Sequence, residues 1–313
     1  MSFRSNRVVD GMTGPASALA AYALWGVSSL YWHLLPSVPP EELLSYRVLL
    51  SCIVLLLVLL VTRTLKATIR AALTRRNLAI YSCSALSIAT NWTVFMWGAV
   101  HGHVIETGVG YLIAPLINVA FGALVLRERL TPAKYAAVAL MVTGLAFLIS
   151  NGGDLTIWIY LTIGISFGAY SLFRKLGPLG AIQGLAVETS LLTVVVIAAF
   201  LFGGISLTLP LVSSPHQVTI LAFGGVVSVV PLWLFSVANR ALRLGTLGFF
   251  QYALPTTQFA LAILYYGQLP SAVTIVSLAI IWSALAIVVL ESAVARKGPR
   301  SQGTRDILAG GKS

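Results

Sequence analysis

The chain carries little charge. Only 9% of its 313 residues are Asp, Glu, Lys or Arg, against about 25% in an average soluble domain. Hydrophobic residues make up 58% of the chain, and the mean hydropathy is +0.92. This composition excludes an ordinary water-soluble domain and predicts an integral membrane protein.

Cysteine and catalytic motifs are also scarce. The two cysteines, Cys52 and Cys83, fall in apolar runs without the close spacing of a metal or redox pair, so we expect two small buried hydrophobic residues. The sequence has no phosphate-binding Walker string, so we expect no ATP hydrolysis within this chain. His101, His103 and Glu106 come nearest to a metal site, but a structural zinc site usually needs four ligands. We expect no metal and no cofactor.

Acidic residues are few: 9 Asp and Glu stand against 20 Lys and Arg, which gives a net charge of +11. Because no basic stripe alternates with aromatic residues, this excess does not predict nucleic-acid binding. Short cytoplasmic loops of membrane proteins retain Lys and Arg, and this bias accounts for the excess.

Long apolar runs, by contrast, are abundant. One membrane crossing needs about 20 apolar residues. Ten segments fit: residues 15–35, 41–62, 78–99, 105–126, 132–150, 155–173, 180–202, 217–238, 246–266 and 271–291. The predicted fold is an all-α integral membrane protein with ten transmembrane helices.

The ten segments form two copies of one five-helix unit. Pro115 lies 13 residues before Glu128, and Pro255 lies 13 residues before Gln268, so both pairs are 140 positions apart. A constant offset over half the chain is the mark of an internal repeat. We call residues 140 to 142 positions apart matched residues. The predicted parts are a short segment 1–14, a first repeat 15–150, a second repeat 151–291 and a basic tail 292–313.

The basic residues show that the second repeat is inverted. Connector 63–76 of the first repeat contains five Lys and Arg residues, whereas its counterpart 203–217 contains none. Because cytoplasmic loops retain the basic residues, the two connectors must lie on opposite sides of the membrane. With the first crossing starting inside, both termini and the tail are cytoplasmic.

Inverted repeats favour a carrier. Two copies related by an axis in the membrane plane can enclose a cavity that opens to each side in turn. We therefore expect a secondary transporter, embedded in membrane lipid, for a small organic molecule. Three alternatives stay open: duplication kept for packing, a passive channel, and an intramembrane enzyme on a lipid-linked substrate. Clustered catalytic groups and a filter motif are not apparent in the sequence. The oligomeric state stays undetermined.

Two charged residues lie within apolar segments. Arg47 and Glu188 are 141 positions apart and are therefore matched. A charge near the bilayer centre costs about 2.5 to 3.5 kcal/mol. Arg47 either faces the cavity or extends outward to the interface. Glu188 has a shorter reach and either faces the cavity or has a structural role. Their depths differ by on the order of 10 Å, so we expect no salt bridge between them.

Prolines and aromatic residues complete the predicted cavity. Pro115 and Pro255 interrupt their apolar segments at matched points, either for gating or for packing alone. Aromatic faces with a few polar groups suit a largely apolar organic substrate. The predicted cavity residues are Arg47, Asn91, Trp92, Phe95, Tyr111, Pro115, Glu188, Trp233, Gln251, Tyr252 and Pro255, with Glu188 as the candidate for proton coupling.

Several strings of the sequence resemble a known family. They are "AYALWGVSSLYW" (21–32), "ELLSYRVLLS" (42–51), "NWTVFMWGAVHGHVIETGVGYLIAPL" (91–116), "VPLWLF" (230–235) and "LGTLGFFQYALPTTQF" (244–259). These strings resemble the RarD family of EamA permeases in the drug/metabolite transporter superfamily, and the resemblance extends through all ten segments.

The resemblance implies an inner-membrane permease with ten helices in two inverted EamA repeats. Members of the family are classed as exporters and associated by name with chloramphenicol sensitivity. Glu188 and Thr189 match the family signature of the seventh helix. This match strengthens the prediction that Glu188 is a functional residue. Gly108 and Ala114 are departures, because family members commonly have Ser and Asn there.

Overall fold

The computed structural model describes residues 14–32, 34–35, 38–101, 103–151, 156–207, 215–265, 267 and 271–297. These residues form twelve helices and no strand. The helices are α1 (Gly14–Trp32), α2 (Pro40–Val61), α3 (Leu65–Ala72), α4 (Arg75–Val100), α5 (Val104–Leu124), α6 (Pro132–Asn151), α7 (Ile157–Leu176), α8 (Ala181–Leu201), α9 (Pro215–Ala241), α10 (Leu244–Phe250), α11 (Ala253–Leu264) and α12 (Ala272–Lys297). Most of the predicted segment 1–14 and of the tail 292–313 lies outside the described residues.

The helices follow the ten predicted segments with two differences. Connector 63–76 contains an additional short helix, α3, and the ninth segment is divided into α10 and α11. Within the described ranges, eight helices are long and apolar enough to cross a membrane: α2, α4 to α9 and α12. The other two predicted crossings correspond to α1 and to the pair α10 and α11, so the number ten stays a prediction.

Local sequence explains where two of these helices begin. Pro40 opens α2, where its missing N–H has no intrahelical partner to lose. Thr74 caps α4, because its Oγ1 accepts the backbone N–H of Asn77 at 3.4 Å. Both helices therefore start where the sequence provides a start signal.

Left-handed turns recur at the spacing of the repeat. The positive-φ residues in the described part of the chain are Arg63 (55°), Arg127 (54°), Gly203 (73°) and Gly267 (62°). Arg63 and Gly203 are 140 positions apart, as are Arg127 and Gly267. Because a positive φ is uncommon for Arg, its presence at two positions matched to glycines indicates the same backbone turn in both halves.

The two matched prolines differ in their effect on the helix. α5 continues through Pro115, so the expected interruption there is wrong. In the second half the helix breaks at Gln251 and Tyr252, before Pro255. Pro255 therefore lies in the first turn of α11, where N–H groups lack intrahelical partners and proline is tolerated.

The described helices belong to two compact units. The smaller unit contains α6 packed on α12, where a Cβ on Gly144 would lie 3.1 Å from the carbonyl oxygen of Ser277. The larger unit contains the other helices. Each unit takes helices from both halves of the sequence, so the spatial units differ from the predicted repeats 15–150 and 151–291.

Within the larger unit, helices from one half of the sequence pack mainly on helices from the other half. α1 packs on α9 and α11, and α7 packs in the corresponding way on α4 and α5. α2 packs on α9 as α8 packs on α4. In addition α2 contacts α8, and α5 contacts α10. The core of this unit is therefore built between the halves.

Two glycines allow close helix contacts at matched positions. A Cβ on Gly26 of α1 would lie 2.6 Å from the Cβ of Thr257 on α11. A Cβ on Gly168 of α7 would lie 2.3 Å from Cγ2 of Ile117 on α5. Both glycines are matched, and so are Thr257 and Ile117, so the same close contact occurs in both halves.

The cysteines differ in exposure. Cys52 is buried, as predicted, whereas Cys83 is exposed, so the prediction for Cys83 is wrong. Leu86, one turn after Cys83 on α4, is exposed as well. Cys83 and Leu86 therefore lie on an exposed part of α4, and hydrophobicity alone did not distinguish a buried position from an exposed one.

Candidate functional site

An aromatic cluster lies where α1, α7 and α9 meet. The ring centre of Trp25 lies 6.0 Å from that of Phe167 and 5.6 Å from that of Phe235. Tyr170 stacks on Phe235 at 5.5 Å, and Tyr22 approaches Phe235 at 6.1 Å. Sequence reasoning did not place this cluster in the site, although the matched pair Trp25 and Phe167 was a usable signal.

Tyr111 extends the cluster toward α4 and α5. Its ring centre lies 6.1 Å from that of Phe167 and 5.6 Å from that of Phe95. Its hydroxyl donates to Oδ1 of Asn91 at 2.9 Å. Tyr111 and Phe95 are half-buried.

Asn91 ties three helices together. Its side chain is fully buried. Its Nδ2 donates to the carbonyl oxygen of Ile163 at 2.9 Å and to Oγ of Ser166 at 3.2 Å, both on α7. Because its amide nitrogen and oxygen are all used within the protein, Asn91 positions Tyr111 rather than facing an open cavity.

Arg47 points inward from α2. Its Nε donates to Oγ of Ser228 on α9 at 3.3 Å, and its guanidinium carbon lies 5.2 Å from the ring centre of Trp92 on α4. A cation over a Trp face contributes about 0.5 to 2 kcal/mol. Arg47 is half-buried, and these contacts place its side chain between α2, α4 and α9.

The break that separates α10 from α11 packs against α5. Three predicted site residues lie in this contact: Pro115, Gln251 and Tyr252. The hydroxyl of Tyr252 donates to the carbonyl oxygen of Leu112 at 3.1 Å. Nδ2 of Asn118 donates to Oε1 of Gln251 at 3.0 Å. All three predicted residues are buried. They therefore hold the broken helix in place and do not line an open surface.

Glu188 is buried in an ion pair. Its Oε1 lies 3.3 Å from Nη1 of Arg174 and accepts the hydroxyl of Ser84 at 2.6 Å. Glu188 is 2% exposed and Arg174 is 6% exposed. As expected, Glu188 has no salt bridge to Arg47. Its partner is a residue that the sequence analysis had counted only as part of the basic bias.

Arg174 is held by further contacts near the end of α7. Its Nη2 donates to the carbonyl oxygen of Ala181 at 3.1 Å. The hydroxyl of Tyr81 accepts the backbone N–H of Leu179 at 2.9 Å. These contacts join the α7 to α8 connection to α4, so the buried ion pair lies where three helices meet.

The predicted site residues therefore fall into two classes. Five are buried and hold helices together: Asn91, Pro115, Glu188, Gln251 and Tyr252. Six are half-buried: Arg47, Trp92, Phe95, Tyr111, Trp233 and Pro255. Trp92, Tyr111 and Trp233 pack against the core that contains Phe167 and Phe235. The half-buried residues next to the aromatic cluster are therefore the candidates for contact with a ligand.

Glu128 is a residue whose role the sequence did not indicate. Its Oε1 accepts the backbone N–H of Leu244 at 2.7 Å, and its Oε2 accepts that of Gly245 at 3.0 Å. A Cβ on Gly122 would lie 2.8 Å from Oε2, so the glycine leaves room for the carboxylate. Glu128 thus caps the amino terminus of α10.

His103, which is half-buried, and the buried Glu106 form a pair at the start of α5. Nδ1 of His103 lies 2.8 Å from Oε1 of Glu106, and His101 stacks on Trp97 at 4.4 Å. Across the described ranges, no three His, Cys, Asp or Glu side chains form a group that could hold a metal ion.

Comparisons with known proteins agree with this picture. Residues 12–150 match the EamA-like transporter family. The chain is 37% identical over 281 residues to the RarD protein of Salmonella typhimurium, covering 89% of this chain and 95% of that protein. An uncharacterized transporter of Pseudomonas aeruginosa is 36% identical over 276 residues, covering 88% of this chain and 92% of that protein.

More distant matches show the same fold. The chloramphenicol-sensitive protein RarD of Pseudomonas aeruginosa is 26% identical over 262 residues, covering 82% of this chain and 86% of that protein. A crystal structure superposes with a TM-score of 0.64 at 19% identity, covering 91% of this chain and 98% of that chain.

Apolar spanning helices and these relatives define the class: a multi-pass membrane transporter of the drug/metabolite superfamily. Within that class, the chain belongs to the RarD family of EamA-like permeases.

Proposed function

We propose that this RarD-family protein is a secondary carrier that exports a small organic molecule by alternating access. The relevant cavity lies beside the aromatic cluster, with Arg47, Trp92, Phe95, Tyr111 and Trp233 in contact with the substrate. A flat, partly apolar molecule with hydrogen-bond acceptors fits these side chains, because rings stack on aromatic faces and acceptors bind the guanidinium.

The observation that carries this proposal is the reciprocal packing of the two halves. α1 packs on α9 and α11 as α7 packs on α4 and α5. The turns at Arg63 and Gly203, and at Arg127 and Gly267, recur at an offset of 140. This pattern supports two inverted repeats, whose exchange of conformation would convert one open form into the other.

Two contacts join matched residues directly. Trp25 meets Phe167, 142 positions later, at 6.0 Å between ring centres. Tyr252 donates to the carbonyl oxygen of its matched residue, Leu112, 140 positions earlier. Matched residues that touch lie near the axis relating two repeats, so both contacts support a two-fold axis between the halves.

Burial differs between the two ends of the proposed cavity. Glu188 and Arg174 are buried, whereas Arg47 and its neighbour Trp92 are half-buried. We infer a form closed at the Glu188 end and open at the Arg47 end. We propose that the protein lies in the inner membrane with both termini in the cytoplasm, and in that orientation the Arg47 end faces outward.

Glu188 is the proposed proton-coupling residue. Protonation of its carboxylate would weaken the contacts to Arg174 and Ser84, and so loosen the closed end. The other titratable groups close to it are Tyr81 and Tyr170. The hypothesis fails if a folded variant without this carboxylate keeps the full dependence of transport on a proton gradient.

Sealed vesicles containing the purified protein test the transport proposal. A thermal-shift screen of metabolites and antibiotics, beginning with chloramphenicol because one relative carries that name, identifies a ligand that stabilises the folded state. Counterflow exchange of that ligand indicates a carrier. Conductance without saturation would indicate a channel instead, and a chemically altered product an enzyme.

Arg47→Gln gives the sharpest test of the site. Removing a charged hydrogen-bond donor costs about 1.5 to 3 kcal/mol, so the apparent ligand affinity should fall by roughly tenfold or more. Arg129→Gln removes the same charge from an exposed connector and should leave the affinity unchanged. Equal effects of both substitutions would place the ligand elsewhere.

A further inference from the structure

An apolar groove lies on the surface of the larger unit, apart from the proposed substrate cavity. It encloses about 240 Å³ and is open to the surroundings. Its walls come from four helices and include Leu59 of α2, Ile69 and Ala72 of α3, Leu78 of α4, and Val187 and Leu191 of α8. Thr68 and Ser190 also line the groove and carry hydroxyls. Each hydroxyl donates to the backbone carbonyl oxygen four residues earlier in the chain.

The short helix α3 presents two chemically different faces at this groove. Leu65, Thr68, Ile69, Ala72 and Leu73 line the groove, and their spacing of three and four residues places them on one helix face. Lys66 and Arg70 stand one turn apart on the other face and are exposed. A short helix with an apolar and a basic face lies at a membrane surface rather than across the membrane.

The charge around α3 has a single sign. Residues 63–76 contain five Lys and Arg residues and no Asp or Glu. All five basic side chains are exposed. Each basic residue near a membrane surface attracts anionic lipid by about 1 kcal/mol, so this segment favours an anionic headgroup over a zwitterionic one.

We propose that the groove binds one acyl chain of an anionic phospholipid, whose headgroup contacts Lys66 and Arg70. The two features require one molecule with two parts, because the groove accepts only an apolar chain and the basic face accepts only an anion. A soluble anion would leave the groove empty, and a zwitterionic phospholipid would leave the basic face without a net countercharge. The proposal does not depend on the transported substrate.

Native mass spectrometry of the purified protein tests this site. The full chain is incubated with equal amounts of dioleoyl phosphatidylglycerol and dioleoyl phosphatidylcholine, which share acyl chains and differ in headgroup charge. The wild type should retain phosphatidylglycerol preferentially. In Lys66→Gln/Arg70→Gln this preference should fall about fivefold for each removed charge, or about 25-fold in total. Equal retention of the two lipids by the wild type would overturn the proposal.

Two further variants separate the site from general effects. Arg127→Gln/Arg129→Gln removes the same charge from another exposed connector and should keep the wild-type preference, so a similar loss there would overturn the proposal. Ile69→Trp fills the groove and should reduce retention of both lipids. Unchanged retention would show that the acyl chain does not bind in the groove. If Ile69→Trp instead abolished a lipid-free dimer, the occupant would be a second copy of the chain.

Discussion

At the scale of single residues, the two charges within apolar helices have different surroundings. Arg47 keeps part of its surface open beside Trp92 and Ser228. Glu188 is enclosed with Arg174 and Ser84. A half-buried guanidinium over an aromatic ring suits ligand recognition, whereas an enclosed ion pair suits a contact that opens and closes. We therefore propose binding as the role of Arg47 and proton coupling as the role of Glu188.

The ion pair of Glu188 with Arg174 predicts different stabilities for the variants that remove one of the two charges or both. Glu188→Gln leaves Arg174 buried without its countercharge, so we expect a loss of about 3 to 5 kcal/mol in the free energy of unfolding. The double variant Glu188→Gln/Arg174→Gln removes both charges and should recover much of that loss. Thermal unfolding of the purified variants measures the difference.

Transport by the double variant then tests the coupling role. We expect flux in vesicles that no longer responds to a proton gradient, because the titrating carboxylate is gone. A double variant as unstable as the single one would contradict a paired role for Arg174. A stable double variant with an undiminished response to the gradient would exclude Glu188 as the coupling residue.

At the scale of helices, the break between α10 and α11 is the least regular element, and its neighbours hold it in place. Glu128 caps the start of α10. Tyr252 and Gln251 fix the break to α5 through Leu112 and Asn118. A seven-residue helix is too short to be stable alone, so α10 depends on these contacts.

Loss of the cap should loosen α10 selectively. Glu128→Ala removes an acceptor of two backbone hydrogen bonds, and we expect a loss of about 2 kcal/mol in stability. Hydrogen–deuterium exchange should speed up in Leu244–Phe250 with little change in α2. Glu41→Ala, at an exposed glutamate, should change stability by no more than about 0.5 kcal/mol. Unchanged exchange in α10 would show that the cap is dispensable.

At the scale of the whole molecule, the two halves of the sequence complete each other. Helices of one half pack mainly on helices of the other in the larger unit, and α6 packs on α12 in the smaller unit. Each half alone would therefore expose surfaces that are buried in the full chain.

Splitting the chain tests this mutual dependence. Expressed alone, the fragments that end after α6 or begin before α7 should accumulate severalfold less than the intact protein, because their unburied surfaces favour degradation. Co-expressed, the two fragments should purify together and bind the same ligand as the intact chain. A first fragment that is abundant and monodisperse alone would contradict this prediction.

The sequence by itself determined the class of fold and the spacing of the two halves. Apolar runs, the offset of 140 between Pro115 and Pro255, and the asymmetry of basic residues depend only on local composition and order. For the same reason, most helix boundaries agreed with the prediction, because burial in lipid or protein favours the helix wherever an apolar run is long enough.

Only the tertiary structure decided which of those residues face each other. Three contacts join residues that are distant in sequence or lie on different helices. They are the ion pair of Glu188 with Arg174, the cap of α10 by Glu128 and the hydrogen bond of Arg47 to Ser228. The exposure of Cys83 and the continuity of α5 through Pro115 also became visible only in the folded chain. An apolar helix can bury any of its faces against lipid or protein at similar free energy, so its own residues do not specify its partner.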